Sequence, residues 1–328
     1  MKAAVVPAVS SKWEVKEIPT PKPGPNQVLI KIHASGLCYT DVHITNGNLP
    51  TQFPRTLGHE PVGEIVELGA GVTTRRVGDR AGVPWVQASC GRCEWCQRGK
   101  RELCPNNVGT GIQTQGSHAE YMVAFADATQ LIPEGLGYEQ AAPIFCAGYT
   151  VWSGFRVAEP KPHDRVAVVG IGGLGHLAIQ YAKAAGFETI AVTKSKDKEK
   201  MIRQLGADEV VQDGAALLAS GGADVLLATS NSWNATSDAA KGMRPEGRIV
   251  IMGVSHEPLP FTAEMMFKRV SLIGSSQNAR EHLYEALDYA AKGKVKVVEE
   301  TYPLNEIAKA YDRVANGKVR FRAVITPN

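Results

Sequence analysis

Four of the six cysteines, Cys90, Cys93, Cys96 and Cys104, fall within fifteen residues in the spacing C-x2-C-x2-C-x7-C. Four thiolates this close in a hydrophilic stretch can wrap one ion tetrahedrally, which is the donor set of a structural zinc. Left unliganded they would be four oxidisable thiols side by side, in a residue type that is ordinarily buried. An iron–sulfur centre is the competing chemistry, because Pro105 follows Cys104. Ferredoxin-type runs, however, place three residues before the fourth cysteine, and here there are seven. The other two cysteines, Cys38 and Cys146, are far apart, with Gly58-His59-Glu60 between them. Spacing alone leaves two readings open. Two thiolates and an imidazole with a free fourth position make a catalytic zinc site. Alternatively, Cys38 is a small buried apolar residue and His59 a hydrogen-bonded core histidine.

A second kind of chemistry is written at residues 166–175, VAVVGIGGLG. An apolar run that reads as a buried strand meets Gly170, Gly172 and Gly175 in the order G-x-G-x-x-G, with Gly173 and Leu174 inside the turn. Glycine there permits the sharp turn, brings backbone close to a pyrophosphate and lets helix pack on strand. Leu174, Leu177, Ala178, Tyr181, Ala182 and Ala185 follow on one helical face. The free N–H groups and dipole of that helix would face phosphate. A dinucleotide is the expected ligand.

The next strand, expected at 189–193, should end in an acidic residue if a ribose 2′-hydroxyl is read. It continues instead as Thr193-Lys194-Ser195-Lys196-Asp197-Lys198. Hydroxyls and lysines, Thr193, Lys194, Ser195 and Lys198 among them, suit a 2′-phosphate through charge-assisted hydrogen bonds. NADP(H) is therefore expected over NAD(H). On the plainer reading Ser195 caps the following helix, the lysines are a solvated face, and Asp197 serves the helix N-terminus.

These residues need elements to hold them. Short strands punctuated by glycine are expected at 28–32, 62–68, 80–83 and 119–123, a β-rich pattern. A helical stretch interrupted by Pro143 and Gly148 follows at 139–157. From 165 onward strands at 166–169, 189–193, 209–212, 224–228, 248–252 and 271–274 alternate with helices at 174–185, 197–205 and 233–241. That alternation predicts a doubly wound parallel sheet covered on both faces. Helices at 279–291 and 306–315 and a strand at 321–325 complete the chain. The fold class is α/β.

At 328 residues there is room for about two domains. The formal charge of +3 and the absence of a basic run argue against a nucleic-acid partner. The same observation weighs against reading the four-cysteine loop as a zinc-ribbon nucleic-acid module. No apolar run approaches membrane-spanning length, and residues 1–17 lack a signal-peptide core with a cleavage site. A cytoplasmic, reducing location is expected, where clustered cysteines are metal ligands rather than disulfides.

Taken in order, Gly36-Leu37-Cys38-Tyr39-Thr40-Asp41-Val42-His43, Gly58-His59-Glu60, the four-cysteine loop, Ala142-Pro143-Ile144-Phe145-Cys146-Ala147-Gly148 and the glycine turn at 170–175 resemble the zinc-dependent medium-chain alcohol dehydrogenases. The likeness covers essentially the whole chain. Its detail is similar to yeast-type and bacterial members, with cofactor features of cinnamyl-alcohol-type reductases. The resemblance implies that Cys38, His59 and Cys146 hold a catalytic Zn2+, a coordination for which alcohol dehydrogenase is the type case. Cys90, Cys93, Cys96 and Cys104 would hold a structural Zn2+. Glu60 would stand beside the catalytic ion, and Asp41 would orient His59. Thr40 and His43 would relay the proton to solvent, and Arg322 would reach the cofactor pyrophosphate. The implied fold is a GroES-like catalytic domain, residues 1–150 and 288–328, interrupted by a Rossmann nucleotide-binding domain, residues 151–287. The implied assembly is a homodimer or homotetramer joined through Rossmann edge strands.

The implied reaction is hydride transfer between NADP(H) and a primary alcohol or aldehyde. The alternatives are an NAD-linked alcohol dehydrogenase and a polyol or formaldehyde-type dehydrogenase of the same superfamily. Compared with yeast-type members, Leu49 falls where a tryptophan narrows the substrate pocket, while Trp85 keeps one. A leucine there should admit bulkier, including aromatic, substrates, unless either residue is plain core.

Overall fold

The computed structural model describes residues 1–255 and 257–327, with the backbone alone described at Lys196. It divides into two units, Met1–Cys146 with Val297–Asn328, and Ala147–Lys296. The divisions fall after Cys146 and Lys296 rather than after 150 and 287. The reason is packing of the flanking helices. Trp152 of helix Ala147–Val157 packs its ring against Tyr181 of helix Gly175–Ala184 and Tyr289 of helix Arg280–Ala291. The Tyr181 hydroxyl then donates to the Ala286 carbonyl, which ties the last of these helices to the second unit.

The first unit is built around one long strand, Gln27–Leu37, whose β-branched run Val28, Ile30 and Ile32 is fully buried. Such residues suit a pleated surface packed on a core. This strand pairs antiparallel with Pro61–Leu68, with Tyr121–Phe125 and, at its far end, with Arg322–Thr326. Two registers matter for the chemistry. Ser35 faces Pro61, which sets His59 and Glu60 beside the end of the long strand. Ala323 faces Leu37, which brings Arg322 to the same end although it comes 284 positions after Cys38.

Leu37 ends the strand and Cys38 begins helix Tyr39–Thr45, with the Asp41 carboxylate accepting from the Cys38 N–H at 2.9 Å. The stretch expected as an interrupted helix at 139–157 is three pieces: Tyr138–Ala141, a 3-10 turn Ala142–Phe145, and Ala147–Val157. Pro143 removes a backbone donor and opens the break, leaving Cys146 at its corner.

The second unit carries, among the described residues, a six-stranded parallel sheet. Numbered within this unit from Arg165–Val169 onward, its strand order is 3-2-1-4-5-6, that of a doubly wound dinucleotide-binding sheet. The fifth strand, Met243–Ile251, begins five residues before the expected start at 248. Its pairing with Ala223–Ala228 shifts register between Ala223 and Val225, so Pro245 sits where the ladder is irregular. Helices Gly214–Ala219 and Ala263–Phe267 were not expected from sequence; Asp213 and Thr262 cap them by accepting from Ala216 N–H and Met265 N–H. Among the described residues no helix is long and apolar enough to cross a membrane.

Candidate metal centre and cofactor site

The four-cysteine loop folds as a small lobe in which Cys93 precedes the short helix Glu94–Gln97 and Cys104 follows the 3-10 turn Arg101–Leu103. The four sulfurs lie within 4.8 Å of one another, with Cys93–Cys96 at 3.5 Å and Cys90–Cys96 at 3.9 Å. A tetrahedron with metal–sulfur bonds of ~2.3 Å has edges of about 3.8 Å, so the lobe has the dimensions of a single-ion site. It leaves no room between the sulfurs for a multi-iron cluster. Backbone N–H groups of Arg92 and Cys93 pull the Cys90 thiol down to about 6, while hydrogen bonds among the four sulfurs and burial leave Cys93 raised to about 11 despite the Cys96 N–H. The sulfurs share protons; ionising all four needs a cation in their midst.

The second constellation joins the two open readings of Cys38 and His59. Donor atoms of Cys38, His59, Glu60 and Cys146 all lie within 4.8 Å of one another, and the two sulfurs are 4.0 Å apart. Both His59 ring nitrogens are buried without a hydrogen-bond partner, as is Glu60 Oε2. Buried polar atoms are nearly always partnered. One His59 ring nitrogen and a Glu60 carboxylate oxygen converging with two thiols fit a cation. The thiol of Cys146, donating to Cys38, together with His59, holds Cys38 well below the usual thiol range and leaves Cys146 well above it. A cation bound by both sulfurs would replace the hydrogen bond between them.

Asp41 is fully buried on helix Tyr39–Thr45. Its Oδ2 accepts from Cys38 N–H and its Oδ1 from Gly58 N–H at 3.2 Å, with Oδ1 3.7 Å from His59 Nδ1. Burial pushes its carboxyl upward, but the His59 and His118 imidazoles outweigh that and hold it well below the usual carboxylate range. It thus grips the backbone on either side of the site and faces the imidazole.

Glu60 sits directly over Gly36, where a Cβ would stand 1.7 Å from Glu60 Oε2, so only glycine leaves space for the carboxylate. Burial pushes Glu60 up to about 7 against the attraction of Arg322. Arg322, expected at the pyrophosphate, is buried in the first unit and its Nη2 donates to Glu60 Oε1. Sequence reasoning missed this pair. The Arg322 Nε is buried with no partner among the described residues.

Thr40 and His43 ride the same helix; Thr40 Oγ1 is 3.6 Å from Cys38 Sγ, and the His43 ring meets Tyr39 edge-on at 5.0 Å. Trp85 packs edge-on to His59, 5.3 Å between ring centres. Leu49 and Trp85 are both half-buried at the margin of the apolar cluster that includes Leu37, Ile44 and Leu57.

The remaining cofactor candidates lie in the second unit. Gly170 adopts φ +90°, and at Gly175 a Cβ would stand 2.3 Å from the Gly170 carbonyl. At Gly172 it would meet nothing within 4 Å. The first glycine turns, the third packs, and the second faces open space where a pyrophosphate fits. Gly173 and Leu174 complete the turn into helix Gly175–Ala184. Thr229, which sequence reasoning also missed, locks this turn by donating to the Val169 and Gly170 carbonyls.

Strand Glu188–Val192 ends just before Thr193, one residue earlier than expected, although Thr193 N–H still donates to the Val211 carbonyl of the neighbouring strand. Ser195 N–H donates to Thr193 Oγ1. Lys194 is exposed. A 3-10 turn, Lys196–Lys198, directly follows Ser195, and the next α-helix, Glu199–Gln204, has Lys198 at its N-cap with no side-chain cap bond.

Residues 24–134 match the family described as alcohol dehydrogenase GroES-like domain, and residues 173–292 match zinc-binding dehydrogenase. An alcohol dehydrogenase of Geobacillus stearothermophilus is 41% identical, over 99% of each chain. The crystal structure of an NAD-dependent alcohol dehydrogenase superposes with a TM-score of 0.92 at 30% identity, covering 100% of both chains. A zinc-binding dehydrogenase of Sinorhizobium meliloti bound to NADP superposes at 0.89 with 28% identity, covering 99% of each.

Proposed function

The chain belongs to the zinc-dependent medium-chain alcohol dehydrogenases, GroES-like and Rossmann in fold, and from that premise we propose that it is an NADP(H)-dependent reductase of primary aldehydes. The observation that carries the cofactor choice is the end of the second Rossmann strand. The residues that follow the strand, Thr193-Lys194-Ser195, include no acidic residue to read a ribose 2′-hydroxyl and offer hydroxyls and an exposed ammonium instead. Because cells hold the NADP(H) pool reduced, aldehyde reduction is the working direction.

Cys38, His59 and Cys146 hold the catalytic zinc and Cys90, Cys93, Cys96 and Cys104 the structural one. Zinc supplies Lewis acidity toward a substrate oxygen, and the nicotinamide supplies the hydride. Asp41 holds His59 in the tautomer that leaves Nε2 free as a ligand. Arg322 neutralises Glu60, which would otherwise be an uncompensated carboxylate in the buried site. The Thr40 hydroxyl carries the proton between substrate and the helix surface, and His43 exchanges it with solvent. Leu49 and Trp85 shape the pocket. The protein works in the cytoplasm as a homodimer or homotetramer.

The test is kcat/KM for benzaldehyde reduction with NADPH and with NADH, in the natural protein and in Lys194→Ala. A charge-assisted hydrogen bond contributes ~1.5–3 kcal/mol, or about 10–150-fold. Lys194→Ala should lose that factor with NADPH and nothing with NADH. A natural protein that prefers NADH refutes the cofactor assignment.

A further inference from the structure

The metal-site reading accounts for Asp41 and His59 but not for a third buried polar group beside them. Segment 116–118 runs alongside 56–58, with Gly116 N–H donating to Thr56 O, Ser117 N–H to Gly58 O and His118 N–H to Leu57 O. This places His118, fully buried, directly behind the loop that carries His59. Ser35, also fully buried, sits between the two serine and histidine partners: its Oγ is 2.7 Å from Ser117 Oγ and 3.0 Å from His118 Nδ1. A Ser35 hydroxyl that donates to Nδ1 leaves the ring proton on Nε2. That Nε2 is buried with no hydrogen-bond partner, and it lies 3.9 Å from Asp41 Oδ2. Asp41 Oδ1 is in turn 3.7 Å from His59 Nδ1.

We propose that His118 is a positioning residue for the metal site, its Nε2–H fixing the Asp41 carboxylate from the oxygen opposite the one that faces His59. The inference rests on Cys38, His59 and Cys146 holding a metal. The order Ser117–Ser35–His118–Asp41–His59 is then a buried polar line whose far end sets how a ligand imidazole is held. A carboxylate taken out of water needs donors around its whole rim. Two backbone N–H groups serve Asp41 from the ligand loops, and two imidazoles flank it. Removing one imidazole lets the carboxylate turn, and the orientation of His59 goes with it. Partners of metal-bound histidines commonly change metal affinity ~10–100-fold when removed.

The experiment measures metal release from the folded holoprotein to a chromogenic chelator, without substrate or cofactor. His118→Phe keeps the ring volume beside Trp13 and removes both nitrogens. His118→Gln places an amide nitrogen where Nε2 stands, and His118→Asn places one only where Nδ1 stands. Cys38→Ser identifies which release phase belongs to the Cys38 site, and the Cys90–Cys104 ion is the internal control. His118→Phe and His118→Asn should speed the Cys38-site phase about tenfold or more, leave the control phase unchanged, and be rescued by His118→Gln. In the cobalt-substituted protein the same two variants should shift the thiolate-to-cobalt band, and His118→Gln should restore it. Should His118→Phe fail to fold, the Gln and Asn pair decides alone. Natural-rate release in Phe and Asn variants, or Gln behaving like Asn, overturns the assignment. A natural protein with no second ion would overturn the metal-site reading itself, a distinguishable result.

Discussion

The glycine turn separates a packing role from a binding role, because two of its glycines face opposite circumstances. At Gly175 an added Cβ would stand 2.3 Å from the Gly170 carbonyl, which belongs to backbone and cannot step aside. Gly175→Ala therefore overpacks the helix–strand contact at ~1–3 kcal/mol. The second unit, Ala147–Lys296, has 150 residues, a size at which each kcal/mol moves Tm by ~2–4 °C. The expected fall is about 2–12 °C. At Gly172 the added Cβ would meet no protein atom within 4 Å, and the backbone is not left-handed there. Gly172→Ala should be neutral or gain ~0.4–1 kcal/mol by restricting the unfolded chain. The same methyl occupies the space where backbone approaches a pyrophosphate. NADPH at a hundred times its Kd stabilises a binder by ~2.7 kcal/mol, a rise in Tm of about 5–11 °C. Thermal unfolding with and without NADPH reads both effects. Gly172→Ala should keep its Tm and lose the NADPH-induced rise. A full rise in that variant, or a fall in Tm like that of Gly175→Ala, would refute the division of labour.

Two further outcomes follow from other parts of the chain. Leu49→Trp should raise KM for benzaldehyde about tenfold more than for acetaldehyde, since pocket overpacking acts on the larger substrate; equal changes would remove Leu49 from the pocket. His33, stacked on Tyr138 at 4.5 Å, and His282 are both lowered from their ordinary value of 6.5, by burial first and then by Lys31 and Arg156 respectively. With folded values below the unfolded one, the unfolded chain takes up protons first as pH falls, so these groups contribute stability above about 6.5 that is lost below it. Urea midpoints at about pH 7.5 and about pH 5.5 should fall less steeply in a His33→Gln/His282→Asn double variant. An identical fall in both proteins would show that neither histidine carries the effect.

What could be read from sequence and what could not divides by range. The four-cysteine spacing and the glycine turn are legible because their partners are neighbours in the chain. The same holds for the β-branched run 28–32 and the strand–helix alternation after 165. Helices Gly214–Ala219 and Ala263–Phe267 were lost because neither spans two turns. The site itself is assembled by strand register. Ser35 opposite Pro61 and Ala323 opposite Leu37 bring together Cys38, His59, Glu60 and Arg322, and no local pattern encodes those pairings. Arg322 illustrates the point. Its place in the closing strand could be guessed, yet its partner Glu60, 262 positions away, appears only when the antiparallel ladder is formed. The glycine at 36 was visible as one residue of a motif, but its reason was not: it is the floor on which the Glu60 carboxylate rests. Ser35, Ser117 and His118 lie still further from any spacing rule. Each reads as an ordinary strand or loop residue, and only burial in one line behind Asp41 gives them a shared role. The four cysteines at 90–104 thus announce themselves by type and spacing, whereas Cys38, His59 and Cys146, and the groups beside them, are brought together by the fold.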